Sequence, residues 1–187
     1  MTRAPTNTPR PSWSDAKKKL AEFDRAGLMA LIHDIYSASK DNQAFLNARL
    51  SLGYDVLEPY RTTIGRALWP DVFKAQNPSI LKAKKAISAY KGAIGRPEGL
   101  VELMVFYCEQ AAGFANEVGF QDEGYFVALV RMFDRALNGV NTLPGTAAPK
   151  LLARLDTVRR ISHNFGYGVG DAMDELLAEF EGVGGAH

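Results

Sequence analysis

Between Val72 and Pro97 the chain carries Lys74, Lys82, Lys84, Lys85, Lys91 and Arg96 with no Asp or Glu among them. The next stretch reverses the sign, with Glu98, Glu102, Glu109, Glu117, Asp122 and Glu123 and no Lys or Arg. Opposite blocks on consecutive segments either neutralise each other across a helical hairpin or present charged faces to a partner. Lys82, Lys85 and Arg96 share a helical face, and with Lys84 and Lys91 they are the candidate binding residues, of a type that contacts nucleic-acid phosphates. No zinc-finger spacing or RNA-recognition signature accompanies them, and Tyr90 belongs to the apolar stripe instead of interleaving with the lysines.

Carboxylate chemistry is confined to one place. Glu102, Glu109 and Asn116 stand seven positions apart, which makes a narrow polar stripe able to hold a metal or an arginine, with Gly99 and Gly113 allowing close approach. A helical di-iron site needs Glu-x-x-His pairs, which are absent from this sequence. His33, His163 and His187 lack zinc-ligand partners at useful spacing. No metal and no cofactor is expected. Arg49 lies beside Phe45, Leu46 and Leu50 at the margin of an apolar stripe. A guanidinium there needs a carboxylate, so Arg49 reads as a structural clamp paired with Glu109, Glu117 or Asp34.

Arg159, Arg160, His163 and Asn164 invite comparison with helical ribonucleases that use an Arg-x-x-x-x-His motif, in which arginine stabilises charge and histidine moves protons. Arg159 precedes His163 by four positions and not five, which favours a helix-end histidine among surface arginines. Gly166-Tyr167-Gly168-Val169-Gly170 resembles a phosphate-cradling loop, yet no strand precedes it and no Gly-Lys-Ser/Thr follows. A hinge between helices fits better. Cys108 sits in an apolar run without an adjacent base and reads as an inert core thiol. No residue is assigned a catalytic role, and a nuclease or hydrolase is the least supported class.

The elements that position these residues all show helical periodicity, and no segment shows sustained two-residue alternation. The fold class is all-α, a compact array of about nine helices built from antiparallel hairpins. Ser14 caps the first helix, and Asp24 caps a second whose stripe is Leu28, Leu31, Ile32 and Ile35. Ser39 starts a third with Phe45, Leu46, Leu50 and Leu52, ended by Gly53. Asp55 caps a fourth with Leu57, Tyr60, Ile64 and Leu68, stopped by Pro70. Ser79 starts the basic fifth helix, whose stripe is Ile80, Ala83, Ile87, Tyr90 and Ile94. Pro97 opens a sixth, central helix that is apolar nearly all round from Leu100 to Phe114 and ends at Gly119. A seventh runs from Asp122 to Asn138. Two more follow the Asn141 to Pro149 linker, over Lys150 to His163 and Gly170 to Phe180.

At 187 residues and 47% hydrophobic, the chain can bury a sizeable core. It reads as one helical domain over 13–181 between loose tails at 1–12 and 182–187. A net charge of +1 makes no global field for nucleic acid or anionic lipid, so only local patches act. The one cysteine excludes an internal disulfide and suits a reducing, cytoplasmic location. The longest apolar run, Leu100 to Cys108, is far shorter than the roughly 20 residues that span a bilayer. No membrane partner is expected.

The segment Ser39-Lys40-Asp41-Asn42-Gln43-Ala44-Phe45-Leu46-Asn47-Ala48-Arg49, together with Ser79 to Tyr90, Phe114-Ala115-Asn116-Glu117 and Gly166-Tyr167-Gly168, resembles an uncharacterised family of small bacterial helical proteins, a domain of unknown function. The resemblance covers about Ser14 to Phe180 and implies one all-helical bacterial domain without transferring an activity. The divided charge points to a non-enzymatic macromolecule-binding protein, an adaptor or regulator with a protein partner. The alternative is an RNA- or DNA-associated regulator acting through the basic helix over 79–96.

Overall fold

The computed structural model describes residues 11–50, 52, 55–74 and 76–184. Among them every regular element is helical: α1 (Trp13–Leu20), α2 (Arg25–Ala38), α3 (Lys40–Arg49), α4 (Glu58–Leu68), α5 (Ile80–Ala93), α6 (Pro97–Val118), α7 (Glu123–Val140), α8 (Ala148–Ser162) and α9 (Val169–Gly184), with a 3-10 turn at Val72–Lys74. The fold is all-α, as the periodicity requires. The chain divides into two compact units, Met1–Leu46 and Asn47–His187, a division that the sequence reading of one domain over 13–181 does not draw.

In the first unit, Ser12 and not Ser14 caps α1. Ser12 accepts from the Asp15 amide at 3.3 Å while Asp15 accepts from the Ser12 amide at 2.9 Å, a reciprocal capping box that Ser14 would not complete. Asp24 caps α2 as expected, accepting from the Gly27 amide at 2.7 Å. Ser39 takes the Asn42 amide at 3.1 Å, and the Asn42 side chain returns to the Ile35 carbonyl at 2.8 Å, fixing the α2–α3 corner. Of the stripe Leu28, Leu31, Ile32 and Ile35, expected to be core, Leu31 is half-buried and the others are exposed at 36%, 42% and 44%. Neither α1 nor α2 contains a buried residue.

The core belongs to the second unit and runs in sequence from Tyr60 to Met173. Helix α6 is its centre, burying Leu103, Val105, Cys108, Ala112 and Phe114 among others, and it packs on α4, α5, α7 and α8. That placement follows from its apolar residues on nearly every side, which leave only a narrow polar stripe through Glu102 and Glu109. Helices α4 and α5 pair with each other, and α9 lies on α7 and α8. Tyr60 and Tyr90 meet edge to face at 5.3 Å across the α4–α5 pair. On the other side of α6, Tyr125 donates to the Ala111 carbonyl at 3.1 Å, so its hydroxyl is satisfied where water cannot reach it. Phe126 stacks on Phe165 at 5.2 Å.

Helix ends shift from the sequence boundaries where side chains compete for the cap. Asp55 lies outside α4 and accepts from the Leu57 amide at 2.8 Å, while its other oxygen is held by Arg61 at 2.6 Å. Helix α9 continues beyond Phe180 to Gly184, past the expected end at 181. The expected stop at Gly53, the extreme N-terminal tail at 1–10 and the last residues at 185–187 lie outside the described residues.

Candidate functional site

Helix α5 begins where the Ser79 amide bonds the Ala67 carbonyl at 2.7 Å and the Ser79 hydroxyl takes the Lys82 amide at 3.4 Å. From that start Ala83, Ala86, Ile87, Tyr90 and Ala93 point into the core. Helical geometry then turns Lys82, Lys85 and Lys91 outward, and all three are exposed, as is Arg96 at the N-cap of α6; Lys84 is half-buried. None of these five cations makes an ion pair among the described residues; the ion pairs there involve other basic residues. Neutralisation across the α5–α6 hairpin, one of the two sequence alternatives, is therefore not what the structure shows.

The carboxylates of α6 are satisfied from elsewhere. Arg154 on α8 grips Glu109 with two parallel bonds, Nε to Oε1 and Nη2 to Oε2, both at 2.7 Å, and its Nη1 reaches Glu102 Oε2 at 2.6 Å. Arg61 on α4 meets the other Glu102 oxygen at 3.2 Å and also holds Asp55. Burial alone would raise the Glu102 carboxyl, but hydrogen bonds and charge from Arg154, then from Arg61, outweigh it and hold the group below its ordinary value. The hydrogen bonds that Arg154 donates to Glu109 are the chief cause that pushes its guanidinium up in turn. Both groups stay charged, and their bonding capacity is spent on each other. Farther along the same stripe Asn164 donates to Asn116 at 3.1 Å. Of the two ligands the sequence allowed for this stripe, the structure supplies an arginine.

Arg49 departs from its expected role. It is exposed, and its Nη1 donates to the Ala93 carbonyl at 3.2 Å, at the last residue of α5. Among the described residues it meets no carboxylate, because Glu109 is taken by Arg154 and Glu117 is exposed near the end of α6. It acts as a donor to a helix C-terminus, where carbonyls lack intrahelical partners. The clamp positions belong instead to Arg61 and Arg154, which sequence reasoning missed. A signal existed: Arg154 stands three after Leu151 and four before Val158, both buried, so it lies on the inward face of α8.

A second cluster forms where α8 turns into α9. Arg159 bonds Asp156 at 3.0 and 2.9 Å and reaches Asp174, and Arg160 also holds Asp156. His163 places Nε2 3.2 Å from Asp174 and Nδ1 4.0 Å from Asp171. The Arg159 hydrogen bond, then that of His163, hold the Asp174 carboxyl below its ordinary value. The connection between α8 and α9 turns sharply at Tyr167 and Gly168, which have φ of 61° and 66°. At Gly170 a Cβ would fall 2.5 Å from His163 Nδ1 and 2.9 Å from the His163 Cα, so only glycine lets α9 start this close. His163, Asp171 and Asp174 bring ligand atoms within 4.8 Å of one another, an assembly that linear spacing hides because the turn reverses the chain. Arg159 already occupies one of those carboxylates, which opposes a cation there.

Cys108 is fully buried, and burial pushes its thiol up, so little reactive thiolate forms. Among the described residues no helix is long and apolar enough to cross a membrane. Comparison with known protein families, with curated proteins and with solved structures finds nothing that this chain matches.

Proposed function

We propose that the chain is a binding protein that docks an acidic protein partner on the exposed face of α5, acting as an adaptor or regulator in the cytoplasm. The carrying observation is the asymmetry of the charges: Arg61 and Arg154 satisfy Glu102 and Glu109, while Lys82, Lys85 and Lys91 on α5 face solvent without ion pairs among the described residues. An apolar side chain sits among them, since Leu81 is 65% exposed beside Lys82. Cations around an apolar anchor suit an acidic peptide carrying hydrophobic residues, for which charge steers encounter and apolar burial adds affinity. A single-stranded nucleic acid would call in addition for aromatics among the lysines on which its bases stack, and Tyr90 is buried against Tyr60. The resemblance to an uncharacterised bacterial helical family stays part of this proposal; it rests on the motif from Ser39 to Arg49 and brings no activity.

The test compares an acidic peptide containing leucines with a single-stranded RNA of equal charge. It uses the natural chain, Lys82→Glu with Lys85→Glu, and Lys150→Glu as an exposed control outside α5. Peptide binding should weaken with the α5 reversals and survive the control. Tighter binding of RNA with a steep salt dependence would transfer the face to the nucleic-acid reading. Indifference of both ligands to the α5 reversals would leave the face merely solvated.

A further inference from the structure

Where α4 ends and α5 begins, an open surface pocket of about 390 Å³ has a lining that includes Arg66, Gln76, Asn77, Ser79 and Lys82. Two features of the fold build it. The bond from the Ser79 amide to the Ala67 carbonyl at 2.7 Å ties the first residues of α5 to the last turn of α4, so Arg66 and Lys82 reach the same space from different helices. The linker between them supplies Gln76 and Asn77, whose carboxamides offer further donors. The pocket has no carboxylate in its lining, and neither Arg66 nor Lys82 makes an ion pair among the described residues.

We infer that this pocket is a binding site for a phosphate monoester. The guanidinium of Arg66 presents a planar fork that matches two oxygens of a tetrahedral oxyanion, and the Lys82 ammonium meets a third as a point charge. The Ser79 hydroxyl, Asn77 and Gln76 complete the donor set. The space exceeds what a bare oxyanion fills, which leaves room for the organic group that carries the ester. That group is either a phosphorylated side chain on a protein or a small phosphorylated molecule; the phosphate chemistry is common to both. The site shares Lys82 with the proposed docking face of α5, but Arg66 lies on α4, outside that face, and Lys85, Lys91 and Arg96 lie outside the pocket, so Arg66→Ala separates the two readings.

The experiment follows backbone amide shifts of the whole chain during titration with inorganic phosphate, with phosphoserine blocked at both ends, and with acetate at matched ionic strength. Phosphate and phosphoserine should produce saturating shifts at Asn77, Ser79 and Lys82 that acetate does not. Arg66→Ala and Lys82→Ala should each weaken binding by about tenfold, the scale of one lost hydrogen bond to a charged group, and Arg66→Lys should recover part of the loss. Both side chains are exposed, so the rest of the spectrum should be unchanged and failure to fold is excluded in the same measurement. Tighter binding of blocked phosphoserine than of inorganic phosphate shows that the organic group of the ester is held; phosphate binding as tightly shows that it is not, and overturns the monoester assignment. Shifts that follow ionic strength without saturating, or an affinity unchanged by Arg66→Ala, overturn the site. Arg66→Ala should leave the acidic peptide bound to α5, so loss of one reading does not carry the other with it.

Discussion

Arg154 is the side chain that joins the half-buried carboxylates of α6 to α8. It makes three hydrogen bonds to two carboxylates at 2.6–2.7 Å, and its side chain is 25% exposed. Replacing it by alanine leaves Glu102 and Glu109, two turns apart on the same stripe of α6, without the cation between them. Loss of a partner costs about 3–5 kcal/mol for a fully buried pair and at most about 1 kcal/mol at the surface. For this half-buried case Arg154→Ala should destabilise by about 2–3 kcal/mol in denaturant melts. Arg154→Lys should recover less than half, because an ammonium cannot make the two parallel bonds to Glu109. Arg49 gives the opposite expectation. Its single bond goes to the Ala93 carbonyl, so Arg49→Ala should cost only about 1 kcal/mol, the scale of a helix-end interaction. A loss as large as that of Arg154→Ala would restore the carboxylate clamp.

At the scale of elements, close approach between helices decides what the sequence can vary. Tyr90 on α5 is 2% exposed, and its hydroxyl oxygen would lie 2.0 Å from a Cβ built on Gly99 in the first turn of α6. Tyr90 cannot yield, since its ring is also fixed edge to face on Tyr60. Gly99→Ala should therefore destabilise by about 1–3 kcal/mol through overpacking, although alanine is the better helix former. A stabilised variant would show that the α5–α6 corner relaxes freely. The elements themselves were largely legible: Asp24 caps α2 and Gly119 ends α6 as the residue types require, and Ser79 and Asp122, read as helix starts, stand at the N-caps of α5 and α7. Helix pairing was not legible, because periodicity reports which face is apolar and says nothing of which helix covers it. That is why Glu102 and Glu109 could be recognised as a stripe awaiting a cation, while Arg61 and Arg154, distant in sequence, could not be named as its source. It is also why the apolar stripe Leu28, Ile32 and Ile35 reads as core in sequence and is exposed in the structure.

For the molecule as a whole, the ion-pair web sets how stability depends on pH. Glu102 has its carboxyl held below its ordinary value of 4.5 in the folded chain. A group lowered by folding binds fewer protons folded than unfolded near that pH, so its contribution is fully present above 4.5 and is lost as pH falls through its folded value. Asp156 and Asp174 are lowered in the same direction, chiefly by Arg159. Both lie near the surface, where water and salt weaken the effect. Acid should therefore destabilise the chain mainly through the α4–α6–α8 web and only slightly through the α8–α9 corner. Comparison of the natural chain with Arg154→Ala separates the two. Without Arg154 the chief influence lowering Glu102 is gone, while burial still favours its protonated form. The stability gap between the two proteins should then be widest well above pH 4.5 and should narrow as pH falls below it. Denaturant melts across that range, repeated at high salt, measure the gap directly. A gap that stays constant with pH would mean that Arg154 stabilises by packing its aliphatic stem and not by holding Glu102 ionised.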